Sequence, residues 1–404
     1  MENNITPELR FPEFDGIIDK NVLNTFCEIN PKTEDLPEKF IYIDLESVNN
    51  GRLEKENEIT KEGAPSRAQR VLQKGDILFQ TVRPYQKNNY FFKKEGSYVA
   101  STGYAQIRTN QSKKFIFHYL HTTKFVNNVL RRCTGTSYPA IGTTDLKTVP
   151  VFFPIPDEQE KVGSFLSSID KRINLLEKKK TDLEQYKKGV MQKIFSQEIR
   201  FKKEDGTDFP DWEEKKLGNL GNTFNGLTGK TKVDFGEGKP YIQYMQIFSD
   251  SKINTSQFGL VKIEEGENQS KAQLGDVFFT TSSETPNEIG TASVLTEPVD
   301  EVYLNSFCFG FRPNSLDELI PEFSQFFFRS ENVRRKIIPL AQGSTRFNMS
   351  KVELMKLKFD IPKKDEQEKI ASFLGSIDKA IQKLENQIED SKEFKQGLLQ
   401  KMFV

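Results

Sequence analysis

The sequence predicts an α+β protein made of two tandem mixed α/β modules, each followed by one long helix. Residues 154–196 recur at residues 362–404, and the shift is 208 positions at every match. Strand-like stretches upstream of the two copies also match in pairs. A repeat of about 200 residues is too long for one solenoid unit, so it indicates two domain-sized modules. We expect the two helices to pair as an antiparallel coiled coil with pseudo-two-fold symmetry.

The repeat divides the chain into four segments. They are the first module at residues 1–153, the central helix at 154–196, the second module at 197–361 and the C-terminal helix at 362–404. A length of 404 residues agrees with two to three domains. A hydrophobic fraction of 36%, with 34 Phe, is enough to build real cores.

Composition argues against a membrane protein and against a secreted one. The longest apolar runs are too short to cross a bilayer, and we expect no signal peptide. Cys27, Cys133 and Cys308 have no metal-ligand spacing and leave one thiol unpaired. We therefore expect a cytoplasmic protein.

Each module opens on a related Phe-Pro phrase, and matching strand-like segments follow it in the same order. The matching segments are residues 11–14 and 209–212 at the start, then 40–43 and 241–244, then 74–79 and 274–279. In the last pair a Gly-Asp turn leads into an apolar run, which is typical of a buried strand entered by a tight turn. We expect Asp76 and Asp276 to have only this structural role.

A helical segment and a polar loop complete each module. Residues 115–132 have helical spacing and end in Arg131-Arg132, and residues 322–338 carry Arg334-Arg335-Lys336. Glycine-containing polar loops follow at 134–138 and 342–348, before short strands at 149–153 and 357–361. Basic residues late in a helix are also favoured by the helix dipole, so the arginines alone do not decide their function.

Positive charge is concentrated near these loops although the whole chain has no net charge. Residues 64–153 hold 14 Lys and Arg against 3 Asp and Glu, and residues 323–358 hold 8 against 2. Such segregation is typical of a surface that binds an anionic partner, while chance clustering remains an alternative.

Guanidinium groups, hydroxyls and free backbone N–H groups are the donors that DNA phosphates and base edges accept. We therefore predict double-stranded DNA as the partner of the loops, over plain connectors. The candidate DNA-binding residues are Arg67, Arg70, Arg83, Lys87, Arg131, Arg132, Thr136, Ser137, Tyr138, Arg334, Arg335, Lys336, Ser344, Thr345, Arg346 and Asn348.

The repeated helices read as rods with an apolar stripe. Asp157-x-x-Glu160 and Asp365-x-x-Glu368 predict capping boxes at their starts. Apolar residues then follow in steps of three and four, which is the spacing of a coiled coil. About 40 residues at 1.5 Å each give a rod of about 60 Å, long enough to act as a spacer between two DNA-reading modules.

Several polar residues are identical in the two helices, and we expect them to be exposed. Identical surfaces on a duplicated element indicate two identical protein partners. The candidate partner-binding residues are Glu158, Gln159, Asp170, Lys171, Glu366, Gln367, Asp378 and Lys379. An ordinary long core helix is the alternative.

Catalytic and metal-binding motifs are not found. His118 and His121 are the only histidines and have no matching ligand set, so packing roles are expected. Phosphate-binding glycine loops and methyltransferase motifs are also missing. We predict no catalytic residue, no metal site and no cofactor on this chain.

The order of modules and helices resembles the specificity subunit of type I restriction–modification systems. The similarity rests on Ile155-Pro156 and Glu158-Gln159, leading to Phe165-Leu166 and Ile169-Asp170, repeated as Glu366-Gln367, Phe373-Leu374 and Ile377-Asp378. It covers nearly the whole chain. One departure is Lys363-Lys364, which stands where the first copy has Ile155-Pro156.

The resemblance implies a non-enzymatic DNA reader. Each module would be a target-recognition domain for one half of a bipartite, asymmetric site. Two modification subunits, carrying the adenine methyltransferase, would bind the helices, and restriction subunits would join a larger complex. S-adenosyl methionine, ATP and Mg²⁺ would be bound by those partners. The alternatives are a coiled-coil scaffold without DNA specificity and the reader portion of a single-chain restriction enzyme.

Overall fold

The computed structural model describes residues 6–32 and 35–404, so the first five residues of the first predicted module lie outside it. The chain forms two compact units. The first comprises the chain up to Lys178 together with Glu385–Val404, and the second comprises Lys179–Leu384. Each unit therefore contains one module and a part of both long helices.

The first unit is built from short strands and four short helices. Its strands are β1 (Asp19–Val22), β2 (Glu28–Ile29), β3 (Lys39–Ile43), β4 (Val48–Asn49), β5 (Arg52–Leu53), β6 (Asn57–Thr60), β7 (Ala68–Val71), β8 (Ile77–Gln80), β9 (Tyr90–Phe91), β10 (Tyr98–Ser101), β11 (Tyr104–Arg108) and β12 (Pro150–Phe153). Its helices are α1 (Leu23–Phe26), α2 (Lys113–Tyr119), α3 (Thr123–Leu130) and α4 (Thr143–Lys147), after which the chain enters the long helix α5 (Pro156–Phe195).

Two four-stranded sheets organise this unit, in the orders β6-β3-β10-β7 and β2-β11-β8-β9. β8 is buried along its whole length, because it lies between β11 and β9 and contributes to cores on both of its faces. The larger core joins the second sheet to α2, α3 and the first half of α5. The expected strands at 40–43 and 77–79 are confirmed.

The second unit repeats this plan with its own strands. They are β13 (Glu213–Lys216), β14 (Gly221–Asn225), β15 (Phe235–Ile242), β16 (Gly259–Val261), β17 (Val277–Thr280), β18 (Ser282–Ser283), β19 (Ala292–Val294), β20 (Tyr303–Leu304), β21 (Cys308–Pro313), β22 (Ala341–Gln342), β23 (Phe347–Met349) and β24 (Lys358–Ile361). The helices are α6 (Leu217–Leu220), α7 (Tyr244–Ser249), α8 (Pro321–Phe327), α9 (Glu331–Ile337) and α10 (Lys351–Leu354), followed by the second long helix α11 (Lys364–Lys401).

The central sheet of the second unit has the order β14-β21-β17-β19, in which the buried strand β17 occupies the place that β8 has in the first unit. Asp76 and Asp276, just before these strands, are buried and accept hydrogen bonds from Arg108 and Arg312 respectively. Both aspartates therefore have the structural role that the Gly-Asp turns predict.

The helical segment in each module is two short helices rather than one. In the first unit α2 ends at Tyr119, and the Thr122 hydroxyl caps α3 by accepting the Phe125 N–H. In the second unit the Ser330 hydroxyl caps α9 by accepting the Val333 N–H. A Ser or Thr at these positions competes for the backbone donors and starts a new helix.

The predicted capping boxes are wrong, although both long helices form. α5 begins at Pro156 and α11 at Lys364, so Asp157 and Asp365 already lie inside the first turn. The Gln159 side chain instead donates to the Pro154 carbonyl at 2.8 Å, and Gln367 donates to Pro362 at 2.9 Å. In each case a glutamine, the fourth residue of the helix, satisfies the carbonyl of the proline that follows the incoming strand.

Segments of the two long helices run antiparallel within each unit. In the first unit Asp170 pairs with Lys395 at 2.5 Å, and Glu177 pairs with Lys392 at 2.8 Å. In the second unit Asp378 pairs with Lys187 at 2.5 Å. Asp378 is the repeat equivalent of Asp170, and Lys395 is that of Lys187. The same ion pair therefore forms in both units, with α5 and α11 exchanging roles.

Each unit also takes up the far end of a long helix in its aromatic core. The Phe403 ring, after α11, lies 5.2 Å from Phe115 between centroids. The Phe195 ring, at the end of α5, lies 5.8 Å from Phe323. Both phenylalanines are buried. Each module thus packs against the start of its own following helix and against the end of the other one.

Buried histidine makes the first unit sensitive to acid. His118 is 1% exposed, its Nε2 lies 3.1 Å from Ser167 Oγ, and burial holds its pKa well below 6.5. Lys395 and Lys93 also disfavour the protonated ring. As pH falls, His118 is therefore protonated in the unfolded chain at a higher pH than in the folded chain. The stability that comes with the neutral, buried His118 is present above pH 6.5 and is lost as pH falls below it.

We expect His118→Gln to flatten the pH dependence of unfolding. Between pH 7 and pH 5 its free energy of unfolding should fall less than that of the wild type, by roughly 1–2 kcal/mol. Urea unfolding at the two pH values measures this difference. An equal fall in both proteins would contradict the assignment of His118 as a neutral buried ring.

In the part of the chain that the structure describes, every helix is too short or too polar to cross a lipid bilayer.

Candidate nucleic-acid interface

In the first unit, a polar loop lies beside the segment that leaves the central strand β8. The Arg83 N–H donates to the Pro139 carbonyl at 2.7 Å, and the Ile141 N–H donates to Thr81 at 3.1 Å. Val82 also forms a β-bridge with Ala140. We call residues 83–87 and 134–138 the first polar surface.

The second unit builds the equivalent surface at the end of β17. β18 pairs with β23, with Ser282 opposite Asn348, and the Met349 N–H donates to the Thr281 carbonyl at 3.0 Å. We call residues 305–307 and 342–348 the second polar surface. In both units, therefore, a glycine-containing loop is held against the exit of a central strand that is buried along its whole length.

The loop residues predicted for the first unit are available at this surface. Thr136, Ser137 and Tyr138 are exposed, the last at 65%. Lys87 is half-buried, its Nζ lies 3.4 Å from Thr123 Oγ1, and burial lowers its pKa. Arg83 lies over the Tyr138 ring, with its Cζ 4.1 Å from the ring centroid.

The backbone of Arg67 lies next to the turn between β10 and β11, and Arg70 follows it on β7. The Thr102 N–H donates to the Arg67 carbonyl at 2.8 Å, and the Thr81 N–H donates to Gly103 at 3.0 Å. Arg67 is exposed, whereas Arg70 is half-buried and burial lowers its pKa. The structure thus joins residues that are distant in the sequence to the first polar surface.

The loop residues of the second unit are likewise exposed. They are Ser344, Thr345, Arg346 and Asn348. Arg346 lies over the Phe307 ring, with its Cζ 5.8 Å from the centroid, and that ring is itself 56% exposed.

Arg334 is a structural residue, which corrects its prediction as a free DNA-binding group. Its guanidinium donates to the carbonyls of Gly290 at 2.6 Å, Ile289 at 2.6 Å and Asn287 at 2.9 Å. Burial lowers its pKa to about 10. The group therefore holds the turn after β18 and has few donors left for a ligand.

The neighbouring basic residues lie near the end of α5. Arg335 forms an ion pair with Glu331, and the Lys336 ammonium donates to the Lys358 carbonyl at 2.7 Å. Both residues line a cavity of about 270 Å³ together with Phe195 and Trp212. The structure thus separates the three basic residues of α9, although they are adjacent in sequence.

The corresponding pair in the first unit differs. Arg132 donates to the Asn128 carbonyl at 2.7 Å, which uses part of its guanidinium inside α3. Arg131 is exposed, and its side chain makes no hydrogen bond or ion pair to the described residues.

Unpaired arginines concentrate at the two polar surfaces. Most arginines of the chain donate to a carboxylate or a carbonyl within their own unit. Those whose guanidinium has no such partner among the described residues are Arg67, Arg70, Arg83, Arg131, Arg172 and Arg346. All but Arg172, which is on α5, lie at or beside these surfaces. Arg67, Arg131 and Arg346 are exposed and can donate to an external anion, whereas the Nε atoms of Arg70 and Arg83 are buried.

Four of the predicted partner-binding residues are buried, so the expectation that they are exposed is wrong. Glu158, Gln159, Glu366 and Gln367 are each at most 2% exposed. Arg10 donates to both Glu158 oxygens at 2.7 Å, and the Arg200 guanidinium donates to both Glu366 oxygens, at 2.8 and 3.2 Å.

These arginines belong to a repeat that the sequence analysis missed. Phe11, next to Arg10, packs edge-on against Phe165 with centroids 5.7 Å apart. Phe201, next to Arg200, packs in the same way against Phe373 at 5.5 Å. The structurally equivalent segments of the two modules are therefore Arg10-Phe11 and Arg200-Phe201. The match expected between residues 11–14 and 209–212 is wrong.

The remaining predicted partner-binding residues lie on the outer parts of the helices. Lys171 and Lys379 are exposed, and they make no ion pair to the described residues. Asp170 and Asp378 are half-buried in the interhelical ion pairs.

Among the described residues, no group of three or more His, Cys, Asp or Glu side chains could hold a metal ion. His118 and His121 are used within the first unit, and the His121 Nδ1 lies 2.7 Å from the Phe117 carbonyl oxygen.

Comparisons with known proteins agree with this architecture. The sequence pattern of the type I restriction modification DNA specificity domain matches residues 22–185 and again residues 210–391. The type I restriction enzyme MjaVIII specificity subunit of Methanocaldococcus jannaschii is 25% identical over 321 residues, which span 72% of this chain and 72% of that protein.

Two solved structures share the fold. One, from work on complex assembly and conformational transition of the type I R-M system, has 22% identity and a TM-score of 0.61, covering 96% of this chain and 97% of that chain. The other is the type I restriction–modification S subunit from M. genitalium, with 16% identity and a TM-score of 0.57 over 99% of each chain. The predicted tandem domains, each followed by a long helix, are confirmed. Because the family pattern matches once in each half and covers most of the residues, this chain belongs to the type I restriction modification DNA specificity domain family.

Proposed function

We propose that this chain selects the DNA sequence on which a type I restriction–modification complex acts, with one half of a bipartite site contacted by each polar surface. The observation that carries this proposal is the duplicated surface at the ends of β8 and β17, where unpaired arginines and exposed hydroxyls lie together. Such groups are the donors that phosphates and base edges accept.

The two half-sites differ in sequence, because the same backbone arrangement presents different side chains. The first surface offers Thr136, Ser137 and Tyr138, whereas the second offers Ser344, Thr345 and Arg346. Different donors and ring positions favour different bases. The site is therefore asymmetric.

The catalytic steps belong to partner chains. Two modification subunits bind the long helices and methylate adenine, and restriction subunits join them to cleave DNA. Those partners bind S-adenosyl methionine, ATP and Mg²⁺, while this chain contributes no catalytic group and no cofactor site. The complex acts on DNA in the cytoplasm.

The partner surfaces lie on the outer faces of the helices. Exposed Lys171 and Lys379 occupy equivalent positions, and the exposed apolar side chains Leu175, Tyr186 and Phe394 extend these faces. Large apolar side chains on a helix exterior are typical of a protein interface. Glu158 and Glu366 contribute indirectly, because they fix the start of each helix through Arg10 and Arg200.

The proposal is tested by selecting bound duplexes from a randomised DNA library with the full chain and its co-expressed modification subunits. We expect enrichment of two short specific tracts separated by a constant, unspecified gap. A coiled-coil scaffold without DNA specificity would enrich no motif. The reader portion of a single-chain enzyme would be indicated if this chain alone transferred a methyl group.

We expect Arg131→Ala to weaken binding to all duplexes alike. Arg131 is exposed and unpaired, so it suits a phosphate contact that carries no sequence information. Losing one phosphate contact should reduce the slope of log affinity against log salt by about 1. Fluorescence anisotropy of a labelled duplex at several salt concentrations measures this slope.

Lys74→Ala is the matched control, because the Lys74 ammonium is exposed but already paired with Glu95 at 2.6 Å. Its salt slope should equal that of the wild type. Equal slopes for wild type, Lys74→Ala and Arg131→Ala would remove Arg131 from the interface.

A further inference from the structure

We propose that Arg83 and Arg346 each read a guanine, one in each half-site, with Tyr138 and Phe307 holding the guanidinium planes in place. This inference rests on the proposed function and adds to it the base that each unit requires. Four observations carry it: the two stacks, the fixed backbones around them, the missing protein partners and the position of both stacks at the polar surfaces.

In the first unit, Arg83 lies in the segment that follows β8, and Tyr138 lies in the loop at residues 134–138. The Arg83 Cζ lies 4.1 Å from the centroid of the Tyr138 ring, which is 65% exposed. Arg83 has a φ of 54°, a left-handed conformation that is uncommon for a residue with a side chain. Its N–H donates to Pro139 at 2.7 Å, and its carbonyl accepts the Gln86 N–H at 3.0 Å. The backbone is therefore fixed on both sides of the stack.

In the second unit, it is the arginine that lies in the glycine-containing loop, and the ring comes from a separate turn. Arg346 comes from the loop, and Phe307 comes from the turn between β20 and β21. The Arg346 Cζ lies 5.8 Å from the Phe307 centroid. The Phe307 carbonyl accepts the Thr281 N–H at 3.0 Å, and its N–H donates to Asn305 Oδ1 at 2.9 Å. The backbone that carries the ring is thus fixed, although Phe307 is 56% exposed.

Among the described arginines, only Arg83 and Arg346 have both a guanidinium without a protein partner and an exposed aromatic ring beneath it. Arg312 also lies over a ring, that of Phe224, but its Nε and Nη2 already donate to the Asp276 carboxylate and the Lys271 carbonyl. The guanidinium groups of Arg67 and Arg131 have no partner among the described residues, and no aromatic ring lies under them. Within the described chain, an unpaired guanidinium on an exposed ring therefore occurs once in each unit.

The chemistry of such a group fits guanine. A guanidinium can donate two parallel hydrogen bonds to O6 and N7 of guanine in the major groove, which is the commonest specific arginine contact. Stacking on a ring fixes the plane of the fork before binding, so less side-chain entropy is lost on binding. A phosphate needs no fixed plane, and the unstacked Arg67 and Arg131 suit that contact better.

The library selection with the full chain and its modification subunits tests the inference with four variants. In Arg83→Lys the charge remains but the fork is lost. We expect the preference for guanine at one position of one half-site to fall about ten- to hundred-fold, with the other half-site unchanged. Arg346→Lys should give the same loss in the other half-site only. Tyr138→Leu and Phe307→Leu should weaken the same two positions by a smaller factor.

Arg52→Lys is the control, because Arg52 is exposed but paired with Glu177, and its selected motif should equal that of the wild type. A wild-type selection without any motif would remove the proposed function itself. A wild-type motif that lacks guanine on both strands of a half-site would overturn only the guanine inference. The guanine inference would also be overturned if Arg83→Lys and Arg346→Lys kept the wild-type motif, or if they weakened binding to all sequences equally. Thermal unfolding checks that each variant is folded. Because Tyr138 and Phe307 are exposed, their replacement by leucine should not prevent folding, so a weaker base preference would come from the loss of the ring.

Discussion

Arg200→Ala should lower the free energy of unfolding by about 3–5 kcal/mol, because it leaves a buried carboxylate without its cation. Glu366 is 1% exposed and accepts from Arg200 at 2.8 Å and from the Trp212 indole at 3.0 Å. After the substitution, only the indole remains to compensate the buried charge. Chemical denaturation of the full chain, followed by a signal from the second unit such as Trp212 fluorescence, measures the loss.

The controls separate the buried charge from a general effect of removing a cation. Lys202→Ala removes an exposed ammonium two residues away and should change stability by less than about 1 kcal/mol. The double variant Arg200→Met with Glu366→Leu should be more stable than Arg200→Ala, because no charge is then left buried. If Arg200→Ala were as stable as Lys202→Ala, the ion pair would have no role in fixing the start of α11.

Phe195→Ala should also cost about 3–5 kcal/mol, since a buried ring is lost from an aromatic cluster and a cavity remains. The Phe195 centroid lies 5.8 Å from Phe323, 6.0 Å from Phe327 and 6.4 Å from Trp212. Thermal or urea unfolding of the full chain measures the effect.

Phe403→Ala is the equivalent change in the first unit, where the ring lies 5.2 Å from Phe115 and 5.7 Å from Tyr119. We expect a loss of similar size there. Phe394→Ala is the control, because that ring is on α11 but 58% exposed. A loss for Phe394→Ala as large as for Phe195→Ala and Phe403→Ala would mean that the helix ends are not the anchors of the two cores.

The fold was predictable where a pattern in the sequence depends on local chemistry. The buried strands after the Gly-Asp turns, and the long helices with their apolar stripes, follow from periodicity and turn residues. The break between α2 and α3 was missed, because Thr122 has helical neighbours and its capping role depends on the Phe125 N–H alone. Likewise, the strand at Tyr241 ends at Ile242, where the chain turns into α7.

The candidate site was predictable only in its location. Charge density and glycine loops indicated both polar surfaces, but the partners of individual arginines depend on contacts between distant segments. Arg334 is consecutive with Arg335, yet its guanidinium is used by carbonyls more than 40 positions earlier in the chain. Identity between the helices was read as a binding surface, whereas for Glu158 and Glu366 it reflects a buried ion pair. The repeated Arg-Phe dipeptide was the available signal.

The central claim is that two units of one chain define two separate halves of a DNA site. The most direct test is the map of methylated adenines in cells that carry this chain with its modification subunit, compared with cells that lack this chain. We expect one motif made of two different short tracts with a constant unspecified gap, present only in cells that carry the chain. A single uninterrupted motif, or the same methylation without the chain, would contradict it.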